Sequence, residues 1–253
     1  MAAGPHRHLL VHGHSPVHVL PPEVKIAATF LFVVGVSITP REALWAFVID
    51  GSIVAVLLAV AGYRVRQVLA RMTIVLPFLI VALIVPFVSS GEPVEVGWFT
   101  VSREGLWAAW NIVAKTSIGF CASLLLAGTT PISEVVRGLG RLKLPSLVVS
   151  IVAFMFRYLD LIVEEMGRIR TAMVARAHDP RWLWQAKPIA SAAGAMFVRS
   201  YERGERVHAA MLARGFDGTM PQLDHRAAVA REWVLAMLLP SVSITLAILA
   251  FVR

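Results

Sequence analysis

Arg176 and Arg214 each close a long helical pattern inside a near-identical triplet, Ala175-Arg176-Ala177 and Ala213-Arg214-Gly215. A guanidinium is planar, stays charged and can grip a carboxylate through two parallel hydrogen bonds, so arginine at a helix tip suits an acidic socket on a partner. The plainer account of either triplet alone is helix termination. An arginine in the last turn complements the helix dipole, and Gly215 fits a C-terminal cap. The repetition favours two equivalent sockets on a dimeric or pseudo-dimeric partner.

Asp50 and Lys115 fall inside apolar runs, where an ionisable residue marks a functional position by default. They are candidates to pair across helices or to line a contact with a partner subunit. In the plainer reading, Lys115 snorkels and Asp50 sits at a hydrated break beside Gly51-Ser52. A proton-coupled carrier acting alone would use the same pair, but that reading leaves the two basic arms without a purpose.

Five of the eight histidines, His6, His8, His12, His14 and His18, crowd the first 22 residues. Imidazole suits nickel, cobalt and zinc. His14 and His18 are separated by Ser15-Pro16, however, which spoils a helical ligand pair, so a solvated tail is expected and no metal ligand is assigned. Glu164-Glu165-Met166-Gly167-Arg168 resembles the glutamate pair of intramembrane CAAX-type proteases. The arginine comes one residue early, and the residue four before His208 is Gly204 rather than phenylalanine. An enzyme is therefore not expected.

The elements that must position these residues are mostly membrane-like. Of 253 residues, 57% are hydrophobic and 16% charged, against about a quarter charged in average soluble domains. The net charge of +8 raises nucleic acid as a partner, but 14 of the 24 Lys and Arg lie between Thr129 and Ala230, with no RNA-binding signature or Cys/His finger. The single cysteine, Cys121, excludes a disulfide framework and a cysteine-based metal site. The N-terminal stretch lacks the small-residue cleavage pattern of a signal peptide.

Apolar runs over 24–39, 43–62, 72–88, 105–127 and 233–252 predict five spans, each near the ~20 residues that cross a bilayer core. Pro77 and Pro86 predict kinks in the third, and 89–104 reads as a loop. Arg64, Arg66 and Arg71 mark one loop as cytoplasmic, and 129–230 is more basic still. Alternation then places the N-terminal tail (1–22) and the 129–230 region inside, with the C-terminal span at 231–253. Thr129-Thr130-Pro131 followed by Glu134 predicts a threonine-capped short helix.

The arms begin near Leu144. Ile162, Met166, Ile169 and Met173 form one stripe on the first, and Phe197, Tyr201, Val207 and Met211 mark one side of the second. Glu164 and Glu202 precede Arg168 and Arg206 by four, a favourable helical spacing. Each arm is predicted to be roughly 45–50 Å long at about 1.5 Å per residue. Ala172, Ala175, Ala209, Ala210 and Ala213 would let two helices cross closely. The expected fold is an all-α integral membrane protein: about five transmembrane helices plus a coupling domain of one short and two long crossing helices.

These arms, with His178-Asp179-Pro180 and Phe216-Asp217-Gly218 after the Ala-Arg triplets, resemble the transmembrane T component of energy-coupling factor transporters, the EcfT/CbiQ family. The resemblance is specific over about 131–219. It implies a cell-membrane scaffold whose Ala-Arg-Gly motifs seat in two ABC-type ATPases, separate or fused, while the membrane part grips a substrate-binding S component. Uptake of a vitamin or of a transition-metal ion such as cobalt or nickel is implied. Ala213-Arg214-Gly215 matches the motif fully. Ala175-Arg176-Ala177 departs at its third position, where a left-handed backbone is costly for alanine. No G-x-x-x-x-G-K-[ST] phosphate loop occurs, so the expectation is that this chain holds no cofactor and that ATP and Mg bind the partner ATPases.

Overall fold

The computed structural model describes residues 15–89, 93–96, 99–177, 187–218 and 228–252, which fall into two compact units. Residues 1–142 and 225–253 belong to the first and 143–224 to the second. His6, His8, His12, His14 and the His178-Asp179-Pro180 triplet lie outside the described residues.

In the first unit, Pro16–Val19 (α1) is a single turn and Pro22–Ile38 (α2) starts on its own proline, whose missing N–H is no loss in a first helical turn. Leu44–Val60 (α3) is apolar apart from Asp50-Gly51-Ser52 at its middle. Val65–Arg71 (α4), a 3-10 turn at Met72–Val75 and Leu76–Val88 (α5) then run on with little interruption. Arg66 and Arg71 therefore sit on a helix, not in the expected basic loop. Pro77 occupies the first turn of α5, directly after the 3-10 segment that absorbs the break, while Pro86 lies inside the helix. The expected loop at 89–104 contains an antiparallel hairpin, β1 (Pro93–Val96) and β2 (Phe99–Ser102), with Pro93 opposite Ser102 and Val96 opposite Phe99. Arg103–Thr129 (α6) follows, capped by the Ser102 hydroxyl accepting from the Gly105 N–H at 3.3 Å.

Ile132–Arg141 (α7) is the short helix, but threonine does not cap it. Pro131 stands at the N-cap, Thr129 ends α6 with its hydroxyl donating to Leu125 O at 2.7 Å, and the Thr130 hydroxyl is buried without a partner. Nor does α7 group with the arms: it packs on α2 in the first unit, where a Cβ on Gly138 would come within 2.9 Å of the Glu23 backbone nitrogen. Ala230–Val252 (α10) lies along α2.

The core is made where α2, α3 and α6 meet, with Phe32, Val36, Phe47, Val54, Leu58, Ile118 and Leu125 buried. Tyr63 closes it, donating its hydroxyl to Leu124 O at 3.2 Å directly beside Gly128, where any Cβ would overlap that hydroxyl. The second unit consists of Ser146–Ala175 (α8) and Lys187–Ala213 (α9). The segments Val65–Val88, Arg103–Thr129, Ser146–Ala175 and Ala230–Val252 are long and apolar enough to cross a membrane. At 17 residues each, α2 and α3 stand at the short end of the spanning range. The fold is all-α and membrane-like, with the hairpin as its one addition among the described residues.

Candidate functional site

Both Ala-Arg triplets place a left-handed residue directly after the arginine. At the end of α9, the Gly215 N–H donates to Leu212 O and the Phe216 N–H to Met211 O, both at 3.0 Å, with Gly215 at φ +82°. That pair of bonds and the left-handed residue make a Schellman cap. At the end of α8, the Ala177 N–H donates to Val174 O at 2.9 Å, and Ala177 itself takes φ +57°. The alanine thus adopts the left-handed conformation that costs an L-residue about 1–2 kcal/mol and that glycine adopts freely. Both arginines, with Ala175, Ala177, Ala213 and Gly215 around them, are exposed, and among the described residues no ion pair engages either guanidinium. Two exposed helix ends, each with a guanidinium beside a left-handed residue, can bind acidic sockets.

The arms themselves are organised differently from the expectation. The inward stripe of α9 is Met196, Ser200, Arg203, Val207 and Met211, while Phe197 and Tyr201 are 72% and 62% exposed. On α8, Ile162, Ile169 and Met173 are half-buried as expected, whereas Met166 is exposed and Glu165 takes its place in the stripe. The small residues Ala172, Ala175, Ala209, Ala210 and Ala213 are all exposed, so they do not form a close crossing within this chain. Glu164 pairs with Arg168 at 3.2 Å and Glu202 with Arg206 at 3.9 Å, as their spacing requires. Glu165 reaches across to α9, accepting from Arg199 at 3.3 Å with Arg203 at 3.7 Å. Both carboxylates of the protease-like pair are therefore taken up by arginines.

Asp50 and Lys115 are not brought together. Asp50 on α3 is fully buried and accepts from the Ser243 hydroxyl of α10 at 3.1 Å, its second oxygen having no partner. Opposite them, a Cβ on Gly35 of α2 would come within 2.8 Å of the Ser243 oxygen. Lys115 on α6 donates to Ser37 O at 2.7 Å, filling one of the carbonyls left open at the C-terminus of α2. Lys25 does the same for α6, donating to Thr129 O at 3.3 Å. Glu23, buried in the first turn of α2, accepts from Arg141 of α7 at 3.0 Å and from the Ala228 N–H at 3.1 Å. Ser243 and Glu23 escape sequence reasoning because a lone serine in a span and a glutamate near a proline carry no periodic signal. His18 is bonded to Ser15 at 2.7 Å and draws no other histidine to it among the described residues.

Fold and site together define a multi-pass helical membrane protein that presents two exposed, arginine-tipped arms. The family model described as "Cobalt transport protein", CbiQ, matches residues 13–225, and the chain belongs to that family. It is 30% identical to an energy-coupling factor transporter transmembrane protein EcfT of Bacillus selenitireducens over 82% of each chain. It is 29% identical to a cobalt transport protein CbiQ of Rhodobacter capsulatus over 55% of this chain and 57% of that one. With a fused cobalt transport protein CbiMQ of Methanocorpusculum labreanum it shares 25% identity over 48% of this chain, which is 20% of the longer protein. Family and fold make this a transporter component.

Proposed function

We propose that this chain is the transmembrane coupling subunit of an energy-coupling-factor-type ABC importer. In this reading the apolar first half of α8 lies in or against the membrane and the arms beyond it are cytoplasmic. Arg176 and Arg214 seat in two ABC ATPase subunits or one fused ATPase, and the first unit holds a substrate-binding S component. The observation that carries it is the pair of exposed, left-handed caps, Arg176-Ala177 and Arg214-Gly215, repeated on two long helices. ATP and Mg belong to the partners, and this chain does no chemistry of its own. The relatives' names favour cobalt as cargo, with another transition-metal ion or a vitamin as the range the partner would set. A carrier acting alone draws no support from Asp50 and Lys115, which are bonded to different groups.

The test is affinity purification of the tagged chain from its native membrane, followed by mass spectrometry. An ABC ATPase should co-purify with the wild type and be lost from the Arg176→Ala/Arg214→Ala variant while that variant still inserts. Recovery of the wild-type chain with no ATPase, or capture unchanged in the double variant, would overturn the reading.

A further inference from the structure

One carboxylate joins the two arms. The Glu165 side chain is only 12% exposed, although the helix around it is open, and it faces both Arg199 and Arg203 of α9. No other ion pair links α8 to α9 among the described residues. The rest of the inward stripes is apolar but for Ser200: Ile162, Ile169 and Met173 on one helix, Met196, Val207 and Met211 on the other. Apolar contacts alone tolerate a slip by one helical turn, because one methyl-bearing side chain replaces another. A carboxylate shielded among them does not, since a slip leaves Glu165 against hydrocarbon without Arg199 and Arg203, whose own side chains are 62% and 37% exposed.

The contact stands back from both tips. Glu165 precedes Arg176 by eleven residues, while Arg199 and Arg203 precede Arg214 by fifteen and eleven. At about 1.5 Å per residue, the tip of α8 therefore projects roughly 16 Å beyond the contact and that of α9 roughly 16–22 Å. Comparable reach suits two sockets related by a two-fold axis.

We propose that Glu165, held by Arg199 and Arg203, is the pivot that fixes the register of α8 on α9 and thereby the separation of the two Ala-Arg tips. It is a positioning residue, acting on the tips through the helices. Its consequence for a partner rests on the coupling reading above, whereas the tip separation is a property of this chain alone. A partner gripping both tips gains from their fixed spacing, and loses that gain when the spacing is wrong.

The experiment measures the separation directly. Spin labels go on Ala172→Cys and Ala210→Cys, both exposed and each four residues before its arginine, in a Cys121→Ser background of the full chain in detergent. Pulsed EPR should give one narrow distance distribution, which Glu165→Gln broadens or shifts by about one helical turn, ~5 Å. The reversed triple variant Glu165→Arg/Arg199→Glu/Arg203→Glu should restore it, which a loss of packing alone would not allow. ATPase capture should fall about tenfold or more in Glu165→Gln and recover in the reversed variant. An unchanged distance distribution in Glu165→Gln overturns the pivot. Where that variant does not insert, Arg199→Gln/Arg203→Gln is measured against the same expectation. A distance that responds while wild type captures no ATPase sinks the coupling reading and leaves the pivot standing.

Discussion

Glycine is used in opposite ways by the two units. In the first, a Cβ on Gly128 would overlap the Tyr63 hydroxyl, one on Gly138 would press the Glu23 backbone, and one on Gly35 would crowd Ser243. In the second, Gly167, Gly194 and Gly204 have nothing within 4 Å of where a Cβ would stand. The first unit closes helix on helix through positions without side chains. The second leaves its helices open, and large apolar side chains such as Phe197 and Tyr201 stay uncovered. The chain spends its close helix contacts on the first unit and leaves the second without them.

The contrast predicts a graded series of effects. The largest belongs to Gly128→Val, where a branched side chain must displace Tyr63 from a packed core, at about 3 kcal/mol. Yield and thermal unfolding in detergent should both fall, with Tyr63→Ala recovering part of the loss; a fully stable Gly128→Val would break the comparison. Next is Ser243→Ala, which removes the one hydrogen bond to Asp50 and leaves a buried carboxyl unsatisfied, a cost of about 1–3 kcal/mol. The same kind of deletion in the open unit, Arg168→Ala opposite Glu164, should change the unfolding midpoint by no more than about 0.5 kcal/mol allows, because both side chains are bathed in solvent.

The caps give a pair of opposite sign, smaller than Gly128→Val and Ser243→Ala. Ala177→Gly should stabilise the tip of α8 by about 1 kcal/mol, and Gly215→Ala should cost α9 a similar amount, each read from local amide exchange at the tip. Gly167→Ala and Gly204→Ala come below the caps. With open space at both sites, each should add about 0.5–1 kcal/mol of helix stability, and a loss instead would reveal a neighbour that the open reading omits.

Much of this is legible from residue types and spacing. The apolar runs place the helices because the hydrophobic period and length of a span are local properties. Glu164 with Arg168 and Glu202 with Arg206 follow from four-residue spacing, and the triplets at Arg176 and Arg214 announce themselves by repetition. The threonine cap at α7 fails because a proline beside it offers its own extended backbone as the boundary. The close alanine crossing fails because small residues permit approach without requiring it. Phe197 and Tyr201 stay exposed while Val207 and Met211 are half-buried, because aromatic character says nothing about which face a neighbouring helix will take.

Sequence by itself determined an all-α membrane chain, its two long arms and the arginine at each tip, since these depend on neighbours within a few residues; α9, at 27 residues, is shorter than expected. Tertiary structure alone decided who meets whom across long stretches of chain. It sent Asp50 to Ser243 and Lys115 to the Ser37 carbonyl in place of each other, and drew α7 onto α2 through Gly138. It also turned Glu165 away from its own helix toward Arg199 and Arg203. The reason is physical: hydrogen bonds and ion pairs are short-ranged and directional, so a buried polar group takes whichever partner the packing of apolar helices delivers to it.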